Sequence, residues 1–212
     1  MNVPVNVTHD HWWWRPGWRE GRSFYTWHIT FSTSSEIREI VSFYTPIINR
    51  MSTLDPVEIG GVHVTLQGVG FTDEVSSVDI ERIIASTASR CVNLAPIKAR
   101  LEVPHADEET IQMEIHPVGA VVRLKLELRN AIGEVWGSKN IPETMDGFRP
   151  HVTLAYSNGV APIERINMTI RESPLPAVEV LISSISLIDL NRDHRRYEWT
   201  EIATVTLGRG LQ

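Results

Sequence analysis

Residues 63–66 and 151–154 of this chain spell the same four residues, His-Val-Thr-Leu. With eight His and sixteen Thr in the chain, a His-x-Thr arises by chance roughly 0.6 times, and His28-Ile29-Thr30 is a third instance. The full tetrapeptide is expected roughly 0.004 times in this composition, so two copies mark a repeated local role. In an extended strand, residues two apart point to one face. His63 and Thr65 then project together, as do His151 and Thr153, while Val64, Leu66, Val152 and Leu154 turn into apolar packing. Brought face to face, the two strands would present two imidazoles and two hydroxyls. That set suits phosphodiester chemistry. A neutral imidazole takes a proton from an attacking hydroxyl or water, an imidazolium returns one to the leaving oxygen, and the hydroxyls hold the non-bridging oxygens. Each acid or base of this kind contributes about 10² to 10⁴ in rate. No metal is required.

The elements that must position these residues are legible as periods. Ser23–Phe31, Gly61–Val69 and Phe148–Tyr156 read as strands, the last two carrying the tetrapeptides. Ser34 or Ser35 opens a helix with Ile37, Ile40, Val41, Tyr44 and Ile48 at helical spacing, which Pro46 should kink or end. Ser77 caps a second helix bearing Ile80, Ile83, Ile84, Ala88 and Cys91 on its apolar face. Ile97–Val103 and Ile111–Ile115 pair as strands around a turn at Pro104–Glu109, and a helix runs from about Val118 to Trp136. A short helix falls near Pro162–Arg171. Val178–Leu190 and Arg196–Leu207 close the chain as two strands joined by Asn191–Arg195. The alternation implies α+β organisation in two similar halves.

Further residues bear on the site. Residues 9–22 form a Trp-rich segment with four of the seven tryptophans. Its rings either plug a core or cover a sheet edge, or they form a stacking wall for a base with Arg15, Arg19 and Arg22 beside phosphate. Tyr25, Trp27 and Tyr156 are candidates to line a cleft, and Arg149, two residues before His151, shares its face. His28 reads as a packed histidine supporting the site. The run Arg192 to Tyr197 is a basic loop that is either solvated or guides a phosphate. His9-x-His11 is too weak a pattern to make a metal site, and Cys91 reads as inert core.

Composition bounds the function class. At 212 residues with 42% hydrophobic and 22% charged residues, the chain has ordinary globular character. Its net charge of −6 argues against a protein that grips long duplex DNA, and favours a small phosphorylated molecule or a strand end. The lone Cys91 fits a reducing compartment. With no evident secretory signal or long apolar run, the expectation is a cytoplasmic monomer without membrane contact and without a cofactor.

The paired motifs, and especially Phe148-Arg149-Pro150-His151-Val152-Thr153-Leu154-Ala155-Tyr156-Ser157-Asn158, resemble the 2H phosphoesterase superfamily in its 2′-5′ RNA ligase-like branch. His11–Phe31, His63–Glu74 and Ile188–Trp199 are similar to its actinobacterial-type members. The resemblance implies one bilobal α+β domain over 1–212, with a cleft between two antiparallel sheets flanked by helices. It implies metal-independent cleavage of 2′,3′-cyclic or related cyclic phosphodiesters of RNA ends or nucleotides. Carried over residue by residue, His63 and His151 are the acid/base pair, and Thr65 and Thr153 hold phosphate. His151 is taken as the group that activates the nucleophile and His63 as the one that protonates the leaving oxygen, an order the sequence does not decide. Two alternatives stand beside this reading: a 2′-5′ RNA ligase, and a nucleotide- or RNA-binding module with little turnover.

Overall fold

Serines start the first two helices. Ser34 and Ser76 each accept a hydrogen bond from the backbone N–H three residues on, at 3.2 and 3.1 Å, which satisfies one of the N–H groups a helix start leaves unpaired. The second cap is therefore Ser76, one residue before the position the sequence suggested. The computed structural model describes residues 6–208. The first half of the opening stretch read for a secretory signal lies outside them.

Along the described chain run β1 (Phe24–Thr30), α1 (Ser35–Ile48), β2 (Leu54–Pro56), β3 (His63–Phe71), α2 (Ser77–Cys91), β4 (Ile97–Leu101) and β5 (His105–Ala106). They are followed by β6 (Thr110–His116), α3 (Val118–Trp136), β7 (His151–Ser157), α4 (Ile163–Arg171), β8 (Val178–Ile182), β9 (Ser184–Asn191) and β10 (Glu198–Thr206). The strands form two antiparallel sheets, in the orders β10-β9-β1-β3 and β2-β7-β6-β4-β8, with β5 beside β6. Helices α2 and α3 pack together and lie on the first sheet, against β10 and β3, while α1 and α4 contact strands of the second. This is the α+β, two-sheet architecture expected, with the helices on the flanks.

Three details differ from the sequence reading. The stretch 178–190 is not one strand. It breaks at Ser183, and β8 pairs with β4 in one sheet while β9 pairs with β1 and β10 in the other. The polar pair Ser183-Ser184 interrupts the apolar pattern there, but pattern alone does not say that the chain changes partner at that point. Pro46 does not end α1, which continues to Ile48 because Ile37, Ile40, Tyr44, Ile47 and Ile48 are buried along one face. The brief strands β2 and β5 are too short to show a period. Cys91 is buried as expected, its thiol pushed up to about 11, first by burial and then by Glu127. Among the described residues no helix is long and apolar enough to cross a membrane.

The Trp-rich segment is a strap across the two sheets. On one side Thr8 N and His11 N donate to Ala161 O and Ser157 O, at 2.9 and 2.8 Å. On the other, buried Arg192 donates to His11 O at 3.1 Å and Arg195 pairs with Asp10 at 2.9 Å. Trp12 is the plug: it is 8% exposed and sits against His11, Tyr156 and Tyr197 at ring separations of 5.0, 5.1 and 5.4 Å. Trp13 and Trp14 are 49% and 48% exposed. We expect Trp12→Ala to lower unfolding free energy by about 3–5 kcal/mol, and Trp13→Ala and Trp14→Ala by less than about 1 kcal/mol each. Urea denaturation of the three variants measures this, and equal losses would contradict the plug.

Candidate active site

Each tetrapeptide begins its strand, β3 in one sheet and β7 in the other. Each also contains an irregularity at the same residue. Trp27 pairs with Gln67 and His28 with Thr65, so Leu66 has no partner on β1. Ile111 pairs with Ala155 and Gln112 with Thr153, so Leu154 has none on β6. The leucine of both tetrapeptides is thus the extra residue of a β-bulge. The bulge carbonyls are satisfied from elsewhere: Lys125 Nζ donates to Leu66 O at 2.6 Å, and Val57 N to Leu154 O at 2.8 Å. A bulge resets the alternation. Tyr156, three residues after Thr153, consequently lines the same cavity.

The histidines are held in one matching way. His63 Nδ1 donates to Gly61 O at 2.7 Å, and His151 Nδ1 to Arg149 O at 2.8 Å, each bond reaching two residues back. With Nδ1 carrying the proton, Nε2 of each neutral ring holds the lone pair. His63, Thr65, His151 and Thr153 meet around a cavity of about 110 Å³, with His11, Thr110, Tyr156 and Tyr197 completing its wall. The four residues singled out by the repeat therefore come together. Burial holds His63 down at about 4, with the Gly61 carbonyl opposing and His151 adding to the depression.

The strap lines the cavity through His11, which the sequence reading did not place in the site. His11 is buried, stacks on Tyr156 at 4.3 Å, and bonds through Nδ1 to Glu109 and through Nε2 to the Tyr197 hydroxyl, both at 2.9 Å. Burial, with Arg15 adding to it, lowers His11 to about 4. Neutral His11 therefore donates from Nδ1 to the carboxylate and accepts the Tyr197 proton at Nε2. Glu109 stays on the ionised side although burial opposes it, because Trp13 and Arg15 donate to it. Thr110 is fixed by donating to Asp107 Oδ1 at 2.9 Å. No local pattern marks these residues, which converge from three distant parts of the chain.

Two larger hollows flank the cavity. One of about 430 Å³ shares Tyr156 and Tyr197 with it and adds Trp12, Pro56, Trp199 and Arg196. The other, of about 390 Å³, shares Thr65 and His151 and includes Phe148, Lys125 and Arg149. Arg149 thus shares a hollow with His151 and is not in the central cavity. The loop that delivers it is tied to β3, since buried Gln67 donates to Pro142 O at 2.8 Å.

Several sequence candidates fall elsewhere. Trp27 is wholly buried in the core, and Tyr25 packs against that core and lines neither the cavity nor its two neighbours. On β1 the alternation puts both on the face opposite His28. The arginines of the Trp-rich segment are engaged with carboxylates, Arg15 with Glu109 and Arg19 and Arg22 with Asp73, so they do not stand free for phosphate. The basic loop clamps the strap through Arg192 and Arg195, while His194 and Arg196 pair with Glu198. Among the described residues no three His, Cys, Asp or Glu side chains converge as a metal centre requires.

Residues 48–194 match the family profile of the 2′-5′ RNA ligase superfamily. Among solved structures, TT0787 of Thermus thermophilus superposes with a TM-score of 0.70 at 22% identity, over 90% of this chain and 100% of that one. A crystal structure described as a phosphoesterase gives 0.65 at 14% identity, over 88% and 99%. E. coli LigT complexed with 3′-AMP gives 0.65 at 14% identity, over 88% and 98%. These likenesses establish the fold. No curated protein matches the chain.

Burial of His63 and His11 has a thermodynamic consequence. Both stay neutral in the native state down to about pH 4, whereas unfolded histidine protonates near pH 6.5. Between those values the unfolded chain binds more protons, so stability is full above about pH 6.5 and falls as pH drops, by up to about 1.4 kcal/mol per pH unit for each ring. Urea midpoints at pH 7 and pH 5 should show this loss. His63→Gln and His11→Gln should each flatten the slope, and an unchanged slope in both would refute the burial argument.

Proposed function

Because the chain belongs to the 2′-5′ RNA ligase superfamily, the 2H phosphoesterases, we propose that it cleaves 2′,3′-cyclic or related cyclic phosphodiesters of RNA ends or nucleotides with two histidines and no metal. The observation that carries this reading is the matched pair of Nδ1-to-carbonyl bonds, which leave two Nε2 atoms and two threonine hydroxyls around one phosphate-sized cavity. E. coli LigT is known in complexes with 3′-AMP and with ATP, which supports a nucleotide as the ligand class here. The aromatic hollow beside Tyr156, Tyr197 and Trp199 has room for a base or sugar, and Arg149 lies on the opposite side of the phosphate.

The burial of His63 supports the opposite order of the two histidines from the one given in the sequence reading. A ring held neutral by desolvation is suited to accept a proton, so His63 Nε2 takes one from the attacking water as its oxygen bonds to phosphorus. His151, the less buried ring, is the group that gives a proton from Nε2 to the leaving ribose oxygen as the P–O bond breaks. Thr65 and Thr153 donate to the non-bridging oxygens, whose charge rises in the transition state. The net change is one water consumed and one phosphomonoester formed.

Turnover of a panel of 2′,3′-cyclic nucleotides and cyclic-phosphate-ended RNA, with EDTA present, tests the reading. His63→Ala and His151→Ala should each lower kcat by about 10² to 10⁴. The acid limb of kcat/KM should lie well below pH 6.5, following the depressed His63. Activity surviving both changes, or abolished by EDTA, would refute the mechanism.

A further inference from the structure

The third His-x-Thr of the sequence is unused in the mechanism above. Its histidine is nevertheless built into the site. His28 lies on β1 directly opposite Thr65 on β3. It is 1% exposed, and its ring stacks on that of His63 at 4.3 Å with the planes 1° apart. Its Nε2 is 3.4 Å from Thr65 Oγ1. Its Nδ1 is buried with no hydrogen-bond partner among the described residues. Trp199 on β10 packs edge-on at 6.0 Å.

These contacts decide where the imidazole proton sits. A neutral ring has one N–H and one bare nitrogen. If the proton were on Nδ1, a buried N–H would have nothing to donate to, and the bare Nε2 would draw the Thr65 hydroxyl proton toward itself. If the proton is on Nε2, it is donated to Thr65 Oγ1, and the bare Nδ1 is the unpaired group. An unpaired buried acceptor is tolerated more readily than an unpaired N–H. A doubly protonated ring would combine the orphan N–H with a buried charge stacked on His63. The burial itself pushes His28 well below the usual histidine range, and His63 adds to this.

We propose that His28 is a positioning residue which, as the Nε2–H tautomer, donates to Thr65 Oγ1 and so leaves the Thr65 hydroxyl proton directed at the substrate's phosphoryl oxygen. A hydroxyl that already accepts one hydrogen bond is a better donor, since chained hydrogen bonds polarise one another. The stack adds a second constraint: with Nδ1 of His63 tied to Gly61 O and one ring face covered by His28, the His63 ring is fixed in plane. This inference rests on the proposed phosphoesterase reading for its consequence, and on the contacts alone for the tautomer.

The tautomer is read without any substrate, from the ¹⁵N shifts of uniformly labelled protein. His28 should show a protonated Nε2 and a bare Nδ1, with no titration between pH 5 and 8. A protonated Nδ1, or a ring that titrates in that window, would overturn the proposal whatever the enzyme acts on. On a cyclic nucleotide that the wild type turns over, His28→Phe keeps a stacked ring but removes the donor, and should lower kcat about tenfold with KM little changed. His28→Gln, whose amide N–H can reach the same hydroxyl, should stay within about threefold of wild type. In the Thr65→Val background the His28→Phe change should cost nothing further. Equal losses for Phe and Gln, or a full additional loss in the Thr65→Val background, would reduce His28 to a packing residue. Circular dichroism of each variant separates these outcomes from failure to fold, and in that case the ¹⁵N measurement still decides.

Discussion

Two backbone carbonyls fix the two histidines of the repeated tetrapeptide. An imidazole left free to rotate about its last torsion would present either nitrogen to a ligand, and neither with a defined proton. At His63 and at His151 the choice is removed by a hydrogen bond from Nδ1 to the carbonyl two residues earlier, at 2.7 and 2.8 Å. That bond lies within a single strand start, so it needs no distant partner and survives any substitution that preserves the backbone. It is also why the same short sequence recurs. A histidine at the strand entrance, a threonine one pleat further on, and a leucine that bulges together form a unit whose geometry is local.

Local geometry alone would leave two half-sites. The chain joins them by crossing repeatedly between sheets: β2 belongs to one and β3 to the other, and the break at Ser183 separates β8 from β9 in the same way. Lys125 of α3 reaches the Leu66 carbonyl, and Gln67 holds the loop that leads into β7. The strap then closes one end through His11, Trp12 and Arg192. It brings polar groups into the interior, and Glu109 gathers hydrogen bonds from His11, Trp13 and Arg15 together, while the indole nitrogen of Trp12 is buried without a partner among the described residues. Burial keeps His63 and His11 on the neutral side.

The part of the site that obeys the strand period was legible in the sequence. His63, Thr65, His151 and Thr153 are paired by alternation, and alternation is what a strand enforces. Tyr156 was placed near the cleft by its neighbourhood alone. Parity puts it on the far face, and only the bulge at Leu154 returns it. The repeated leucine was the available signal for both bulges. Trp27 was misplaced for the converse reason: aromatic character suggested a ligand wall, while its parity with Ile29 assigns it to the core. The sequence carried no sign that His11, Thr110 and Tyr197 belong together, because their association depends on a tertiary crossing that brings residues 11, 110 and 197 to one cavity. The α+β halves followed from element order and the two antiparallel sheets from the family resemblance, but the interleaving of strands between them did not, since hydrophobic pattern fixes which face is buried and not which neighbour is paired.

The central claim is that one phosphoryl group is held between the two histidine Nε2 atoms and the two threonine hydroxyls. A crystal structure of the protein with a nucleoside 3′-monophosphate measures this most directly. The account predicts phosphate oxygens within hydrogen-bond distance of Nε2 of both His63 and His151 and of Oγ1 of both Thr65 and Thr153, with the base against Tyr156 and Tyr197. A nucleotide bound elsewhere, with both imidazoles untouched, would contradict it.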